Sequence, residues 1–285
     1  MTNIRFDGQV VIITGGGGGL GSAYARLLAS RGAAVVVHDA GVDRAGKGAD
    51  RSVARRVVDE IESNGGQAVA ATQNLSTNAA CTELIEQALE RYGRIDALIH
   101  SAGIVAYKGI EHTTETEWTT LRSVNIDAPF WLCRAVWPIM RKQRYGRIIL
   151  TVSGYGLKSF EGSDVTAYGV GKAAQFGLMN SLAGEGVAHN IFVNAISPVA
   201  ATRIFRAEVE PGQFSPEAIA PGVVYLASQA CTLNGYVVHA VDGRFGLGRF
   251  ERLSDVTLGT AATPEEVRQA LQPPENRNKI VAAES

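Results

Sequence analysis

Short runs of β-branched and aliphatic residues alternate along the chain with longer segments whose apolar positions recur at helical spacing. Val10–Thr14, Ala34–His38, Ala68–Ala70, Ala97–His100, Arg147–Val152 and Phe192–Ile196 are largely apolar from end to end. That is the pattern of strands buried on both faces. Between them, Leu20–Arg31, Arg51–Ser63, Asn78–Tyr92, Thr114–Lys142 and Thr166–Val187 have the length and periodicity of helices. A repeated strand–helix–strand order closes through right-handed crossovers into a parallel sheet. The chain is therefore expected to be an α/β protein, a single Rossmann-type domain with a doubly wound parallel sheet and helices on both faces.

Local signals refine this outline. Thr114 with Glu117, and Thr263 with Glu266, have the spacing of capping boxes, and Pro264 suits a first helical position. Pro198 reads as the residue that stops the sixth strand. Gly41–Gly48 reads as a mobile glycine-rich loop, and the segment after Pro198, with Ile204, Phe205 and Phe214, as a lid. The main domain is expected over residues 1–243. Residues 244–285 are expected to be an extension, a tail beyond the sheet that is disordered after Pro273-Pro274.

Composition narrows the choice of partner and compartment. With 285 residues, 46% hydrophobic and 19% charged, the chain can bury a sizeable core without staples. The net charge of −1 and the lack of a long basic run give no support for nucleic acid or a membrane surface as a partner. Cys81, Cys133 and Cys231 are odd in number and widely separated, which suits a reducing compartment. The five histidines show no ligand spacing with Asp or Cys, so no metal is expected, and His38 and His100 read as structural residues at strand ends. No basic-then-apolar leader opens the chain, and no apolar run reaches the roughly 18–20 residues of a membrane span. A cytoplasmic protein is the expectation.

The strongest chemical signal lies between the first strand and the first helix, at Thr14-Gly15-Gly16-Gly17-Gly18-Gly19-Leu20-Gly21. A dinucleotide pyrophosphate needs backbone N–H groups at close range and a helix N-terminus aimed at its charge, and side chains would block that approach. Gly15, Gly19, Leu20 and Gly21 are the candidate contacts. Asp39 follows the second strand, 18 positions after Gly21. A carboxylate there can accept from the adenosine ribose hydroxyls and would repel a 2′-phosphate, which favours NAD over NADP. A turn aspartate before Gly41 is the plainer reading. Asn74-Leu75, past the third strand, would sit beside the adenine, although an ordinary turn accounts for them as well.

Tyr168 and Lys172 stand four residues apart at a helix start, which places them on one face. Ketone reduction needs a proton donor and alcohol oxidation a base, and a nearby cation favours the phenolate of a tyrosine. Ser153 lies just beyond the fifth strand, at the sheet end where ligands bind in such folds, and can bond a substrate oxygen. Asn125, inside the long central helix, could hold a water that links Lys172 to solvent.

Together these motifs resemble the classical short-chain dehydrogenase/reductase family from about Phe6 to Gly243. The residues that carry the resemblance are the Gly15/Gly19/Gly21 loop, Ser101-Ala102-Gly103, Asn125, Ser153, Tyr168, Lys172 and Ser197-Pro198. The resemblance implies NAD as cofactor, Tyr168 as acid/base, and Lys172 as ribose ligand and tuner of Tyr168. It further implies Ser153 as carbonyl anchor and Asn125 as keeper of a proton relay, with Ser101, Ala102, Gly103 and Pro198 lining the cofactor. Arg5-Phe6-Asp7-Gly8, Gly46-Lys47-Gly48, Tyr145-Gly146-Arg147-Ile148-Ile149, Asn180-Ser181-Leu182-Ala183 and Thr263-Pro264-Glu265-Glu266-Val267 are similar, more closely, to the (3R)-hydroxyacyl-CoA dehydrogenase units of multifunctional enzyme type 2, also classed as 17β-hydroxysteroid dehydrogenase type 4. A homodimer or homotetramer is implied by resemblance too, with Cys133 and Trp137 sharing one helical face as interface or core.

Three departures stand out, one being that the segment after Pro198, including Ile204-Phe205 and Phe214, lacks clear matches. Ser101 replaces a usual Asn. Ser153 precedes Tyr168 by fifteen positions, two more than usual, so the segment Gly154–Ala167 carries an insertion that would border the substrate. The expected activity is NAD-dependent interconversion of a secondary alcohol and a ketone. The substrate would be a 3-hydroxyacyl-CoA or a hydrophobic cyclic or steroid alcohol. A regulatory or scaffold protein that binds NAD with little turnover is the reading from another class.

Overall fold

A computed structural model describes residues 3–205, 210, 212–251 and 255–271. Five consecutive buried residues, Val10–Thr14, form β1 at the middle of the sheet, where both faces are covered. Around it lie Ala34–His38 (β2), Gln67–Ala71 (β3), Ala97–His100 (β4), Gly146–Thr151 (β5), Ile191–Val199 (β6), Val237–Val241 (β7) and Arg244–Gly248 (β8). The order is β3-β2-β1-β4-β5-β6-β7-β8, parallel throughout except for the antiparallel β7–β8 pair. The chain reverses its direction of winding between β1 and β4, and the crevice above that switch point is where such sheets hold ligands.

Alternate strand residues feed two cores. Val11, Ile13, Val35, Val37 and Ile99 pack with Gly19–Ser30 (α1), Ser52–Ser63 (α2) and, toward the C-terminal half, Pro216–Ala227 (α8). Val10, Ile12, Val36, Leu98 and Ile148 pack on the opposite face with Asn78–Tyr92 (α3), Ala128–Gln143 (α5) and Thr166–Gly186 (α7). The remaining helices are Glu115–Arg122 (α4), Gly154–Leu157 (α6) and Pro264–Ala270 (α9). Both expected capping boxes are formed, at Thr114/Glu117 and Thr263/Glu266. Cys81, Cys133 and Cys231 are free thiols and all are buried, with Cys133 in the core beneath α5.

The structure corrects the sequence reading at four places. The expected long helix Thr114–Lys142 is interrupted by a π-helical turn at Ser123–Asp127. Pro129 supplies a reason: with no N–H, it cannot donate to the carbonyl of Asn125 four residues earlier. That carbonyl accepts instead from Gln175 Nε2 on α7, at 2.9 Å.

Pro198 does not stop β6, which runs on to Val199 beside β7. In the β5–β6 ladder, Val152 N–H donates to the Ile196 carbonyl, and the next bond would come from an N–H at position 198. Proline has none, so the ladder ends on the β5 side while β6 continues.

Arg244–Gly248 is a strand of the sheet and not a tail beyond it. Asp242 and Gly243, with φ of 46° and 72°, make the two-residue turn that a right-twisted hairpin prefers. Helix α8 and strand β7 were not anticipated at all. The apolar residues of α8 leave little polar stripe to reveal its period, because Ile219, Ala220, Val223, Val224, Leu226 and Ala227 are all buried.

The described residues up to Arg249 form one compact unit and those from Phe250 a second, in which α9 is the described helix. Pro273-Pro274 lies outside the described residues. Among the described residues no helix is long and apolar enough to cross a membrane, and no group of three or more His, Cys, Asp or Glu side chains could hold a metal ion.

Candidate active site

The glycine loop turns from β1 into α1 with almost no room for side chains. A Cβ on Gly21 would lie 2.1 Å from the Gly15 carbonyl oxygen, and one on Gly15 would lie 2.8 Å from the backbone of Ala102. Gly15 and Gly19 take φ of 67° and 49°, the left-handed region that glycine tolerates. Gly17 is hemmed in by Val53 at 2.5 Å, whereas a Cβ on Gly18 would meet nothing within 4 Å. Helix α1 has no side-chain cap and no acidic residue in its first turn, so its leading N–H groups are left for an anion. A cradle of bare backbone, which a Cβ would fill, fits the pyrophosphate of a dinucleotide. Gly15, Gly19, Leu20 and Gly21 are the residues that would hold it.

Asp39 is buried at the end of β2. Its two oxygens accept from Gly17 N–H at 3.1 Å and Gly41 N–H at 2.9 Å. The carboxylate thus braces the cradle and makes the local turn at once, with lone pairs left over for ribose hydroxyls. Asn74 is exposed and accepts from Ser76 N–H, while Leu75 is buried in the core. Their local contacts are those of an ordinary turn.

The loop after β4 ties this cradle to the catalytic residues. Ser101 N–H donates to the Thr14 carbonyl at 3.1 Å, and Ala102 N–H to Thr14 Oγ1 at 3.3 Å. Thr14 Oγ1 also pairs with His100 Nδ1 at 2.9 Å. One residue on, a Cβ at Gly103 would stand 3.5 Å from both Lys172 Nζ and Asn125 Oδ1. The loop after β4 therefore joins cradle and catalytic pair through close backbone contacts.

Asn125 is fully buried, and its amide is bonded at both ends to Ile104: Oδ1 accepts from the N–H at 3.1 Å and Nδ2 donates to the carbonyl at 2.9 Å. A water relay at this residue would therefore have to use its backbone carbonyl, which the π turn leaves open and Gln175 shares. Ser153 follows β5 and accepts from Tyr155 N–H at 3.4 Å, capping the single turn of α6.

Tyr168 and Lys172 are 9% and 3% exposed on the buried face of α7. Lys172 Nζ donates to the Thr151 carbonyl at 2.7 Å and lies 5.6 Å from the centre of the Tyr168 ring. Burial pushes the Tyr168 phenol up to about 12, with a hydrogen bond from the Ser153 hydroxyl acting the other way. Burial also pushes Lys172 down to about 8. The expectation that Lys172 lowers the phenol is therefore not met in the protein alone. Desolvation disfavours the phenolate, and the Lys172 ammonium is committed to the Thr151 carbonyl.

Sequence reasoning missed Thr202 and Tyr107 as neighbours of the site, whereas Ile204, Phe205 and Phe214 lie in the segment read as a lid. Thr202 packs its methyl 3.2 Å from where a Cβ of Gly19 would be, at the lip of the cradle. Tyr107 donates its hydroxyl to the Ile204 carbonyl, closing the segment after β6 onto the loop after β4. Ile204 joins the small apolar cluster of Ile104, Val105, Leu121, Val165, Ala167 and Tyr168. Phe205 and Phe214, with ring centres 5.5 Å apart, pack on each other. Only the insertion before Tyr168 gave any sequence signal for Tyr155 and Phe160.

The short chain dehydrogenase family model matches residues 9–211, and the chain belongs to that family, a family of oxidoreductases. It is 38% identical over 275 residues to the peroxisomal multifunctional enzyme type 2 of Mus musculus, covering 93% of this chain and 36% of that enzyme. It is 40% identical over 255 residues to the peroxisomal hydratase-dehydrogenase-epimerase of Saccharomyces cerevisiae, covering 88% and 28% respectively. The chain thus spans about a third of the length of these two relatives. A crystal structure of a short chain dehydrogenase from Mycobacterium avium superposes with a TM-score of 0.82 at 33% identity, covering 95% of this chain and 98% of that one.

Proposed function

We propose that this protein is an NAD-dependent oxidoreductase that interconverts a secondary alcohol and a ketone. Its substrate class is a 3-hydroxyacyl-CoA or a hydrophobic cyclic or steroid alcohol. The observation that carries this reading is the meeting of cradle and catalytic pair at Gly103, where a Cβ would be 3.5 Å from Lys172 Nζ. When bound, a nicotinamide supplies a ring carbon that accepts or gives a hydride. Tyr168 then takes the hydroxyl proton in oxidation and returns it in reduction, while Ser153 donates a hydrogen bond to the substrate oxygen. Lys172 holds the nicotinamide ribose, and Asp39 receives the adenosine ribose. Asn125 keeps the loop after β4 in place and, through its carbonyl, supports a route for protons. Ser101, Ala102 and Pro198 complete the cofactor's surroundings.

The buried free cysteines support a reducing compartment, for which the cytoplasm is our reading. The exposed Phe130 on α5 supports a homodimer or homotetramer. Neither nucleic acid nor a membrane enters the proposed activity.

A panel of secondary alcohols and 3-hydroxyacyl-CoA thioesters, followed by NADH absorbance, tests the proposal. Wild type should turn over at least one class. Tyr168→Phe should lose about 10²–10⁴-fold in kcat while NADH binding persists. Activity of Tyr168→Phe within a few-fold of wild type would exclude Tyr168 as the acid/base.

A further inference from the structure

Three apolar side chains stand in the open just past the catalytic strand: Tyr155, Leu157 and Phe160 are 44%, 39% and 40% exposed. The two aromatic ones are not loose surface residues. The Tyr155 ring meets Tyr168 edge-on, with centres 6.4 Å apart at 70°, and Phe160 packs on Tyr155 at 4.8 Å. Phe160 closes over Gly154, where a Cβ would be 3.1 Å from its ring. The backbone beneath is pressed onto α7: a Cβ on Gly156 would meet Ala173 N at 2.6 Å, and one on Gly169 would meet the Tyr155 carbonyl at 2.8 Å. Glycines on both sides therefore hold Tyr155 where it is. All of this lies in the segment that sequence spacing marks as two residues longer than usual.

A fixed pair of rings left in water invites cover by an apolar partner. Because Tyr155 touches Tyr168, the partner placed to supply that cover is whatever is attached to the carbon that Tyr168 serves. Resting on the acid/base reading of Tyr168, we propose that Tyr155 and Phe160 are specificity-determining residues that select substrates whose carbinol carbon belongs to a flat, apolar ring. Two rings tilted at 55° offer a face and an edge to a third ring. A ring arrives with its torsions already fixed, whereas an acyl chain of equal carbon count must freeze several of them to make a smaller aromatic contact.

Two nine-carbon alcohols, 1-indanol and 2-nonanol, separate ring from chain. Wild type should prefer 1-indanol in kcat/KM by about tenfold or more. Tyr155→Ala and Phe160→Ala should each cut that ratio by about 2–10-fold, with the loss in KM for 1-indanol rather than in kcat. Tyr155→Phe should restore the ratio, since the ring and not the hydroxyl makes the contact. A ratio unchanged in both alanine variants, or a wild type that prefers 2-nonanol, would overturn the assignment. If neither alcohol nor any thioester is oxidised, the acid/base reading is what has failed. Binding of 1-indanone, followed by tryptophan fluorescence, then decides on the aromatic surface alone: weaker binding by Tyr155→Ala supports it, and equal or absent binding rejects it.

Discussion

Lys172 donates its ammonium to the carbonyl of Thr151 at 2.7 Å, which fixes the cation at the end of β5. Its pKa is lowered to about 8 by burial, so the charge is present below that pH and is lost as pH rises through it. A ribose hydroxyl held by an ammonium is held less well by a neutral amine. KM for NAD should therefore rise above about pH 8 in wild type. Lys172→Met should show a higher KM at all pH values and no inflection there. Steady-state kinetics from pH 6 to 10 would show this, and a wild-type KM flat across that range would refute the role. Lys172→Arg is not a mild control, because a planar guanidinium cannot reproduce a compact point charge.

Asp39 sets the second expectation. Its buried carboxylate, already braced by Gly17 and Gly41, would meet a 2′-phosphate with like charge. Wild type should prefer NAD to NADP by a large factor in kcat/KM. Asp39→Asn should narrow the preference, because it removes the repulsion at the cost of one of the two acceptors that brace Gly17 and Gly41. Equal kcat/KM for the two cofactors in wild type would sink the assignment.

His100 yields a prediction about stability. Burial, together with the nearby Lys172 ammonium, lowers its pKa to about 3, against roughly 6.5 in an unfolded chain. Above about 6.5 neither state is protonated and nothing is lost. As pH falls from 6.5 toward 3 the unfolded chain gains a proton that the folded one refuses, so stability drops by up to about 1.4 kcal/mol per unit. His100→Asn can keep a bond to Thr14 without titrating. Its melting temperature should fall less than that of wild type between pH 7 and pH 5. Parallel falls measured by calorimetry would mean that His100 is protonated within the fold.

Much of this molecule was legible in the sequence because its signals are local. Val10–Thr14 reads as a buried strand since every residue is apolar or β-branched, and the loop that follows as a cradle since Gly15 and Gly21 stand where a Cβ has no room. The misses came where one element answers to another. Pro198 looks like a stop within its own strand, but its missing N–H is felt by β5 across the ladder. The π turn at Ser123–Asp127 follows from Pro129 and from Gln175, which lies 50 positions from Asn125. The spacing of Ser153 and Tyr168 marks the segment of Tyr155 and Phe160 but not their packing, and nothing in the sequence marks Thr202. The Asp242-Gly243 turn, by contrast, carries a local hairpin signal in its Asp-Gly pair.

The unequal ends of β5 and β6 have a further consequence. Past Val152 the chain leaves the sheet owing no ladder bond to its neighbour, and only the single turn of α6 intervenes before α7 begins at Thr166. A loop anchored at two fixed points can gain or lose residues with little entropic penalty and no shift of register. The extra length in this segment is thus silent to the strands while it remodels the wall beside Tyr168. The surface that chooses the substrate can therefore change in length without moving β5 or β6, although through Tyr155 it still rests on Tyr168.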